Sequence, residues 1–79
     1  MSPTVFRAGG LRFYFFSREE SRMHIHVAGQ SGEAKFWIEP QIESVQNFGL
    51  SDKELASARK HIEEHLHDIR TAWDRHFNR

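Results

Sequence analysis

The C-terminal third of the chain carries the feature that most limits the fold. From residue 55 onward, apolar side chains recur at steps of three and four, as one face of an α-helix requires. They are Leu55, Ala58, Ile62, Leu66, Ile69, Trp73 and Phe77. Just before them, Ser51 and Glu54 have the spacing of a capping box, which satisfies the first amides of a helix. The sequence therefore predicts a helix over about residues 51–77, with an apolar stripe that must cover another layer.

The N-terminal half predicts that layer, an antiparallel sheet built from two hairpins over about residues 4–39. Gly9-Gly10 suits the tight turn of the first hairpin, because glycine tolerates the positive φ angles that such a turn requires. The first register places Phe6 opposite Phe13 and Thr4 opposite Phe15. The second hairpin turns at residues 29–32. Its register places three apolar pairs on one face, and they are Met23 with Ile38, Ile25 with Phe36, and Val27 with Ala34.

Together these elements predict an α+β fold, in which one long C-terminal helix covers a three- to four-stranded antiparallel sheet. Seventy-nine residues are too few for a second core, so residues 1–79 are expected to form a single domain. A connecting segment, residues 40–50, joins the sheet to the helix. Within it, Ile42, Val45 and Phe48 suit one and a half helical turns, and a short strand is the alternative.

Composition limits the class of protein. The chain has no cysteine, which excludes disulfides and thiolate metal sites and suits a reducing cytoplasm. It has no apolar run near the roughly 20 residues that cross a bilayer, so we expect a soluble cytoplasmic protein without a membrane partner. The formal net charge is zero, which argues against a protein held to nucleic acid by bulk charge.

His24 and His26 are the sharpest chemical feature of the sequence. Alternate strand positions place their imidazoles about 7 Å apart on one face, within reach of a shared metal or phosphate. A third metal ligand would have to come from elsewhere, and the candidates are Glu19, Glu20 and Glu39. The other interpretation is that both histidines are half-exposed surface residues, with His24 against Trp37. We favour this second interpretation and predict no metal and no cofactor.

The two histidines also belong to a wider set of basic and aromatic side chains on the face opposite the apolar one. We call it the aromatic–basic face, and its members are Arg7, Arg12, Tyr14, Phe16, His24, His26, Lys35 and Trp37. Such a face could stack RNA bases, with His24 or His26 as a weak candidate general acid or base and Arg12 on a phosphate. The same residue types are enriched at protein interfaces.

The predicted helix supplies a second candidate surface. At 1.5 Å per residue it would be roughly 39 Å long, which exceeds what a small sheet can cover. Trp73 and Phe77 lie in its last two turns. We therefore expect these two residues to be candidates for contact with a second molecule.

The order of motifs along the chain resembles a widespread family of short, mostly bacterial single-domain proteins of unknown function. The resemblance lies in Pro3-Thr4-Val5 with Arg7, Phe13-Tyr14-Phe15-Phe16-Ser17, His24-Ile25-His26-Val27, Glu33-Ala34-Lys35-Phe36-Trp37, and Gly49-Leu50-Ser51. The chain departs from the family at Arg22-Met23, where prolines are usual. In size and gene setting the family is similar to members of two-gene, toxin-antitoxin-like modules, and the resemblance implies no catalytic residue.

The function expected from the sequence is therefore a small intracellular interaction module that forms a homodimer or binds a protein partner. The alternative is an RNA-binding or RNA-cleaving domain that uses the aromatic–basic face. Whether the protein is an enzyme is left open.

Overall fold

The computed structural model describes residues 4–16 and 22–77. These residues form five strands and two helices. They are β1 (Thr4–Ala8), β2 (Leu11–Tyr14), β3 (His24–Ala28), β4 (Glu33–Trp37), β5 (Glu43–Phe48), α1 (Asp52–Glu64) and α2 (Leu66–Phe77). The strands lie in sequence order in one antiparallel sheet. The predicted α+β class is confirmed, with five strands in the described residues where three or four were expected.

The second hairpin has the register that its hydrophobic pattern predicted. Ile25 lies opposite Phe36 and Val27 opposite Ala34, while the Ile38 amide donates to the Met23 carbonyl oxygen at 3.0 Å. A shift of one residue would turn every apolar side chain away from the core, so the pattern fixes this register.

The first hairpin departs from the prediction at one end. Phe6 lies opposite Phe13 as expected, but Thr4 pairs with Tyr14 and not with Phe15. The register shifts between Thr4 and Phe6, so Val5 is an extra residue on β1, as in a β-bulge. Val5 packs against the core, although uninterrupted alternation had placed it on the opposite face.

The core lies between the inner face of the sheet and the helices. From the sheet, the buried core residues are Leu11, Phe13, Phe15, Ile25, Val27, Ala34, Phe36 and Ile38. From the helices they are Ala58, Ile62, Ile69 and Trp73, with Leu55, Leu66 and Phe77 packed around them. Every member of the predicted helical stripe therefore contributes to the core.

The helical segment begins as its capping box predicts. The Ser51 hydroxyl accepts from the Glu54 amide at 3.1 Å, and the Glu54 carboxylate accepts from the Ser51 amide at 2.9 Å. The predicted single helix is interrupted at His65, where φ is −111° and ψ is 20°. The His65 imidazole stacks on Phe6 with ring centroids 4.1 Å apart, and its Nδ1 donates to the His61 carbonyl oxygen at 2.9 Å. The long helix is therefore two shorter helices.

β5 occupies most of the connecting segment, so the strand alternative for these residues is the observed one. It lies at one edge of the sheet beside β4, and all six of its residues are exposed. The backbone at the end of β5 lies close to the turn between β3 and β4. A Cβ atom on residue 32 would overlap the Phe48 carbonyl oxygen. The absence of a side chain at residue 32 therefore lets these two backbones meet.

Candidate interaction face

The strand registers bring the predicted aromatic–basic residues onto one surface. On β2, β3 and β4, Tyr14 lies opposite His26, and His26 lies opposite Lys35. Residues directly opposite one another share a face of the sheet. Arg7 lies opposite Arg12 in the same way, so the surface extends to β1. The registers thus bring Arg7, Arg12, Tyr14, His26 and Lys35 to the side of the sheet opposite the core.

His24 is the main departure from the expected surface, because it is 0% exposed and not half-exposed. Trp37 is its neighbour, as the sequence predicted, but the two rings meet edge-on at 5.6 Å and are not stacked. A second edge contact joins His24 to Trp73 at 5.4 Å. Its Nδ1 donates to the Arg22 carbonyl oxygen at 2.8 Å. β2 ends at Tyr14, two residues before the position opposite His24, and the Trp73 indole contacts His24 at this end of the sheet. His24 therefore acts as a buried packing residue.

His26 is half-buried and lies at the centre of an aromatic cluster. Its ring stacks on Tyr14 at 5.4 Å and contacts Phe16 at 4.1 Å and His24 at 5.2 Å, all measured between ring centroids. Phe16 remains 42% exposed. The rings of Tyr14 and His26 are therefore packed together, and the Phe16 ring leaves an apolar edge exposed to solvent.

Tyr14 is the buried member of this cluster. Burial, reinforced by the negative charge of Glu33 and a hydrogen bond to it, raises the pKa of the Tyr14 phenol. The Arg12 guanidinium opposes this rise, since a nearby cation stabilises the phenolate. The net effect is a tyrosine that stays neutral over the physiological range and can keep its hydrogen bond to Glu33.

Three cations lie over aromatic rings of this face. The Arg12 guanidinium is 4.5 Å from the centre of the Tyr14 ring, and Arg22 and Lys35 are 4.2 Å and 4.6 Å from that of Trp37. Arg12 also donates to the Thr4 hydroxyl at 2.7 Å. These contacts are cation–π interactions that hold long side chains flat against the sheet. Positive charge therefore lies beside Tyr14 and Trp37 on this face.

Two depressions open on this side of the sheet. The smaller, with a volume of about 90 Å³, is lined by Tyr14, Phe16, His26, Glu33, Ala34, Lys35, Gln46 and Phe48. The larger, about 510 Å³, lies near the two hairpin turns and is lined by Arg7, Gly10, Leu11, Arg12, Ala28, Gly29 and Gln30. The aromatic cluster and the arginine pair therefore lie at different depressions.

Sequence reasoning missed Arg22, Glu33 and Phe48 as members of this surface. Phe48 lies opposite Glu33 through β5, whose strand character the sequence left open, and it is 65% exposed. The strand register of the second hairpin had already placed Glu33 on this face, which was the signal available. Arg22 precedes β3 and reaches Trp37 from there, a position that strand alternation does not describe.

The helix end is placed differently from the expectation. Trp73 is 3% exposed and packs with its ring 5.3 Å from Phe15 and 4.3 Å from Phe77. The Trp73 ring is covered by contacts within the chain, so it offers no surface to a second molecule. Phe77 is half-buried and packs against the hydrophobic core.

The described residues contain no group of three or more histidine, cysteine, aspartate or glutamate side chains that could hold a metal ion. Glu19 and Glu20, the nearest predicted third ligands, lie outside those residues. Glu39 forms an ion pair with Arg70 at 3.4 Å. Residues 4–16 and 22–77 also include no helix long and apolar enough to cross a membrane.

The fold and its surface define a small α+β protein with helices on one side of the sheet and an aromatic, basic surface on the other. Residues 10–74 match a protein family described as a domain of unknown function, DUF4160. This match covers most of the chain, so the protein belongs to that family, and the resemblance to a family of small proteins of unknown function is confirmed. Neither a curated protein nor a solved structure matches the chain.

Proposed function

We propose that this protein is a small interaction module that binds a partner protein through the aromatic–basic face. The observation that carries the proposal is the pair Phe16 and Phe48, which are 42% and 65% exposed and both line the smaller depression. A contiguous exposed apolar patch with polar residues at its rim marks an interaction surface, and these two rings lie at one depression together with Glu33 and Lys35. Covering both rings would remove apolar area from water, which drives protein association.

The surroundings of the two phenylalanines fit a protein interface. Aromatic and arginine side chains are the residue types most often found at the energetic centre of such interfaces. Here the cluster of Tyr14, Phe16 and His26 has Arg12 and Lys35 at its sides. We therefore infer a partner with an apolar anchor for the depression and carboxylates that meet the two cations.

The two-gene, toxin-antitoxin-like setting implied by the family resemblance belongs to this proposal. In such a unit the partner would be the product of the neighbouring gene. That product is the first protein to test, because it can be expressed alone or together with this chain.

The test is a binding titration with wild type and two variants. The Phe16→Ser variant removes an exposed ring from the depression, and Ala56→Ser is the control at an exposed position of α1. The neighbouring gene's product is titrated into each protein while amide NMR shifts are followed. We expect one-to-one binding, shifts centred on β2, β3 and β4, and at least about tenfold weaker binding for Phe16→Ser, since interface aromatics often contribute 2 kcal/mol or more.

Equal affinity of Phe16→Ser and wild type, or shifts confined to the helices, would overturn the use of this face. If the neighbouring product does not bind, the same titration is repeated with proteins captured from the native extract and then purified. Absence of any protein that binds directly and loses affinity in Phe16→Ser would contradict the interaction module.

Single-stranded RNA is the second candidate ligand, and the exposed Phe16 ring with Lys35 at the same depression favours it. Arginine and lysine beside exposed rings can bind phosphates while bases stack on the rings. Cleavage by a histidine pair is not part of this candidate, because His24 is 0% exposed and does not reach a phosphodiester. The candidate is therefore RNA binding without chemistry.

RNA binding has a distinct salt signature. Fluorescence anisotropy with a short uridine-rich RNA should show saturable binding whose affinity falls with rising salt, and Lys35→Gln should reduce that salt dependence. The protein-binding proposal predicts no saturable RNA binding at physiological salt. A saturable, salt-sensitive curve that Phe16→Ser abolishes would replace it.

A further inference from the structure

The outer backbone edge of β5 offers a second surface, which adjoins the aromatic–basic face at Phe48. All six of its residues are exposed, with Val45 at 41% and Phe48 at 65%. Within residues 4–16 and 22–77, strand pairing reaches β5 only from β4. Its outer edge therefore presents backbone amides and carbonyls in the arrangement that another strand can pair with.

β5 lacks two common protections of such an edge. Natural edge strands are often blocked by lysine or proline, and the sequence of β5, Glu-Ser-Val-Gln-Asn-Phe, contains neither. The opposite edge strand, β1, differs because it carries Arg7 and packs Val5, Phe6 and Ala8 against the core. Both edge strands carry a register shift against their neighbour, a feature that also blunts edges, so the two edges differ in exposure: β1 packs three side chains against the core and β5 packs none.

We propose that β5 pairs antiparallel with β5 of a second copy of this chain, about a two-fold axis between Val45 and Gln46. In this register Glu43 of one copy lies opposite Phe48 of the other, and Ser44 lies opposite Asn47. Glu43 and Phe48 are on the face of Trp37 and Glu33, while Ser44 and Asn47 are on the face of Phe36 and Ala34. Each of these two pairs joins residues of the same face, because the register shift between Lys35 and Phe36 makes Val45 an extra residue in β5. Val45 and Gln46 then form the central pair, at the bulge.

The charge distribution on β5 agrees with this pairing. Glu43 is its one charged residue, and the two-fold axis places the two copies of Glu43 at opposite ends of the joined strands. Five residues of strand separate them by about 17 Å, at about 3.3 Å per residue. This exceeds the screening length of about 8 Å at physiological salt, so repulsion between them is weak.

The symmetry limits the assembly to two copies. An isologous two-fold contact uses the same patch on both molecules and closes on itself, whereas a β1-to-β5 contact would continue into a filament. The dimer places two aromatic–basic faces side by side on one continuous sheet. Only this bivalence rests on the proposed function, because each molecule of the dimer would bring one partner-binding face. The pairing of the two β5 strands does not depend on that function.

Sedimentation equilibrium over a range of concentrations tests the pairing. We expect a monomer–dimer equilibrium for wild type and at least about a tenfold higher dissociation constant for Val45→Lys, because the two new lysines would lie on adjacent positions across the axis. Thr71→Lys, an equally drastic change at an exposed position of α2, is the control and should dimerise like wild type.

Amide hydrogen exchange identifies the surface. Protection of the β5 amides should rise with protein concentration in wild type and stay constant in Val45→Lys. A wild-type protein that is monomeric at about 1 mM, a level that would populate any dimer relevant to a cell, overturns the proposal. So does a dimer that Val45→Lys leaves intact.

The two proposals fail separately. Phe16→Ser should weaken partner binding and leave the dimer unchanged, whereas Val45→Lys should dissociate the dimer and leave each monomer able to bind a partner. Loss of dimerisation in Phe16→Ser together with no effect of Val45→Lys would overturn the β5 pairing and move self-association to the aromatic–basic face.

Discussion

At the scale of single residues, His24 and His26 differ in their surroundings: His24 is a buried packing residue and His26 lies at the surface. Two histidines on alternate strand positions invite a common role, but the structure gives them different ones. His24 is enclosed by Trp37 and Trp73, and His26 remains at the surface with Phe16. The difference arises because α2 contributes the Trp73 ring to His24, whereas His26 meets Tyr14 of β2 and Phe16 just after that strand.

His24→Ala should therefore destabilise the fold, by about 3 kcal/mol, since truncating a fully buried ring leaves a cavity. The free energy of unfolding in urea at neutral pH measures this loss. His26→Ala is the matched control, and we expect its loss to be no more than about 1 kcal/mol because the site is half-exposed. Equal losses for the two variants would contradict the buried role of His24.

Tyr14 supports a prediction about alkaline pH. Its pKa lies above the usual value of about 10, first because of burial and then because of Glu33. The unfolded chain therefore ionises at lower pH than the folded one. The contribution of Tyr14 is present at neutral pH and is lost as pH rises from about 10 through the folded pKa.

A spectroscopic titration tests this shift without ambiguity, because Tyr14 is the one tyrosine of the chain. Glu33→Gln should lower its midpoint, since the carboxylate charge disappears, while leaving it above that of the urea-unfolded chain. A midpoint unchanged by Glu33→Gln would show that Glu33 does not influence the phenol.

At the scale of elements, the start of α1 is linked to the turn between β3 and β4. The Glu54 carboxylate accepts from the Ser51 amide at 2.9 Å and from the Ser31 hydroxyl at 2.8 Å. These hydrogen bonds, first that to the Ser51 backbone and then that to Ser31, lower the pKa of Glu54. One side chain thus both caps the helix and ties it to the sheet.

Ser51→Ala should lower the free energy of unfolding by about 1 kcal/mol, the usual cost of losing an N-cap hydroxyl. Chemical unfolding at neutral pH measures it. Ser44→Ala, at an exposed position of β5, is the control and should change stability by less than about 0.5 kcal/mol. A loss no greater than that of the control would contradict the observed capping geometry.

Glu54→Gln removes the charge of the capping side chain and keeps its shape. Because the folded pKa of Glu54 is lowered, its contribution is present above the unfolded pKa and is lost as pH falls through the folded pKa. The wild type should therefore lose stability on acidification more steeply than Glu54→Gln. Parallel curves for the two proteins between neutral and acidic pH would exclude this linkage.

At the scale of the whole molecule, one side of the sheet is sealed by α1 and α2 and β5 extends beyond their cover. β2, β3 and β4 contribute the buried side chains, and β5 contributes none. Local stability follows burial, since opening an exposed edge exposes little apolar area. The molecule therefore combines a rigid centre with a less stable edge.

Amide exchange in dilute protein should show this gradient. We expect the slowest exchange in β3 and faster exchange in β5 by a factor of at least about 100, which corresponds to roughly 2.7 kcal/mol of local stability. NMR-detected exchange measures both strands in one experiment. Equal protection of β3 and β5 in a monomeric sample would contradict it.

Much of the fold was predictable because its determinants are local. The pairing of Ile25 with Phe36 follows from a turn and an alternating pattern, and the start of α1 follows from Ser51 and Glu54. β5 was left open because Val45 and Phe48, three residues apart, are compatible with a helix, and a strand exposed on both faces carries no burial pattern. The registers placed the aromatic–basic residues and Glu33 on one face, but not Arg22, which precedes β3, or Phe48, which lies on β5.

The sequence by itself thus determined the register of the second hairpin, that of the first hairpin except at its Thr4 end, the helical stripe and the side of the sheet that carries basic and aromatic groups. Tertiary structure alone decided that His24 is buried, that the helical segment is interrupted at His65 and that β5 forms an exposed edge. The physical reason is range. Periodicity and capping act between residues a few positions apart, whereas the contact of His24 with Trp73 and the stacking of Phe6 on His65 join distant parts of the chain.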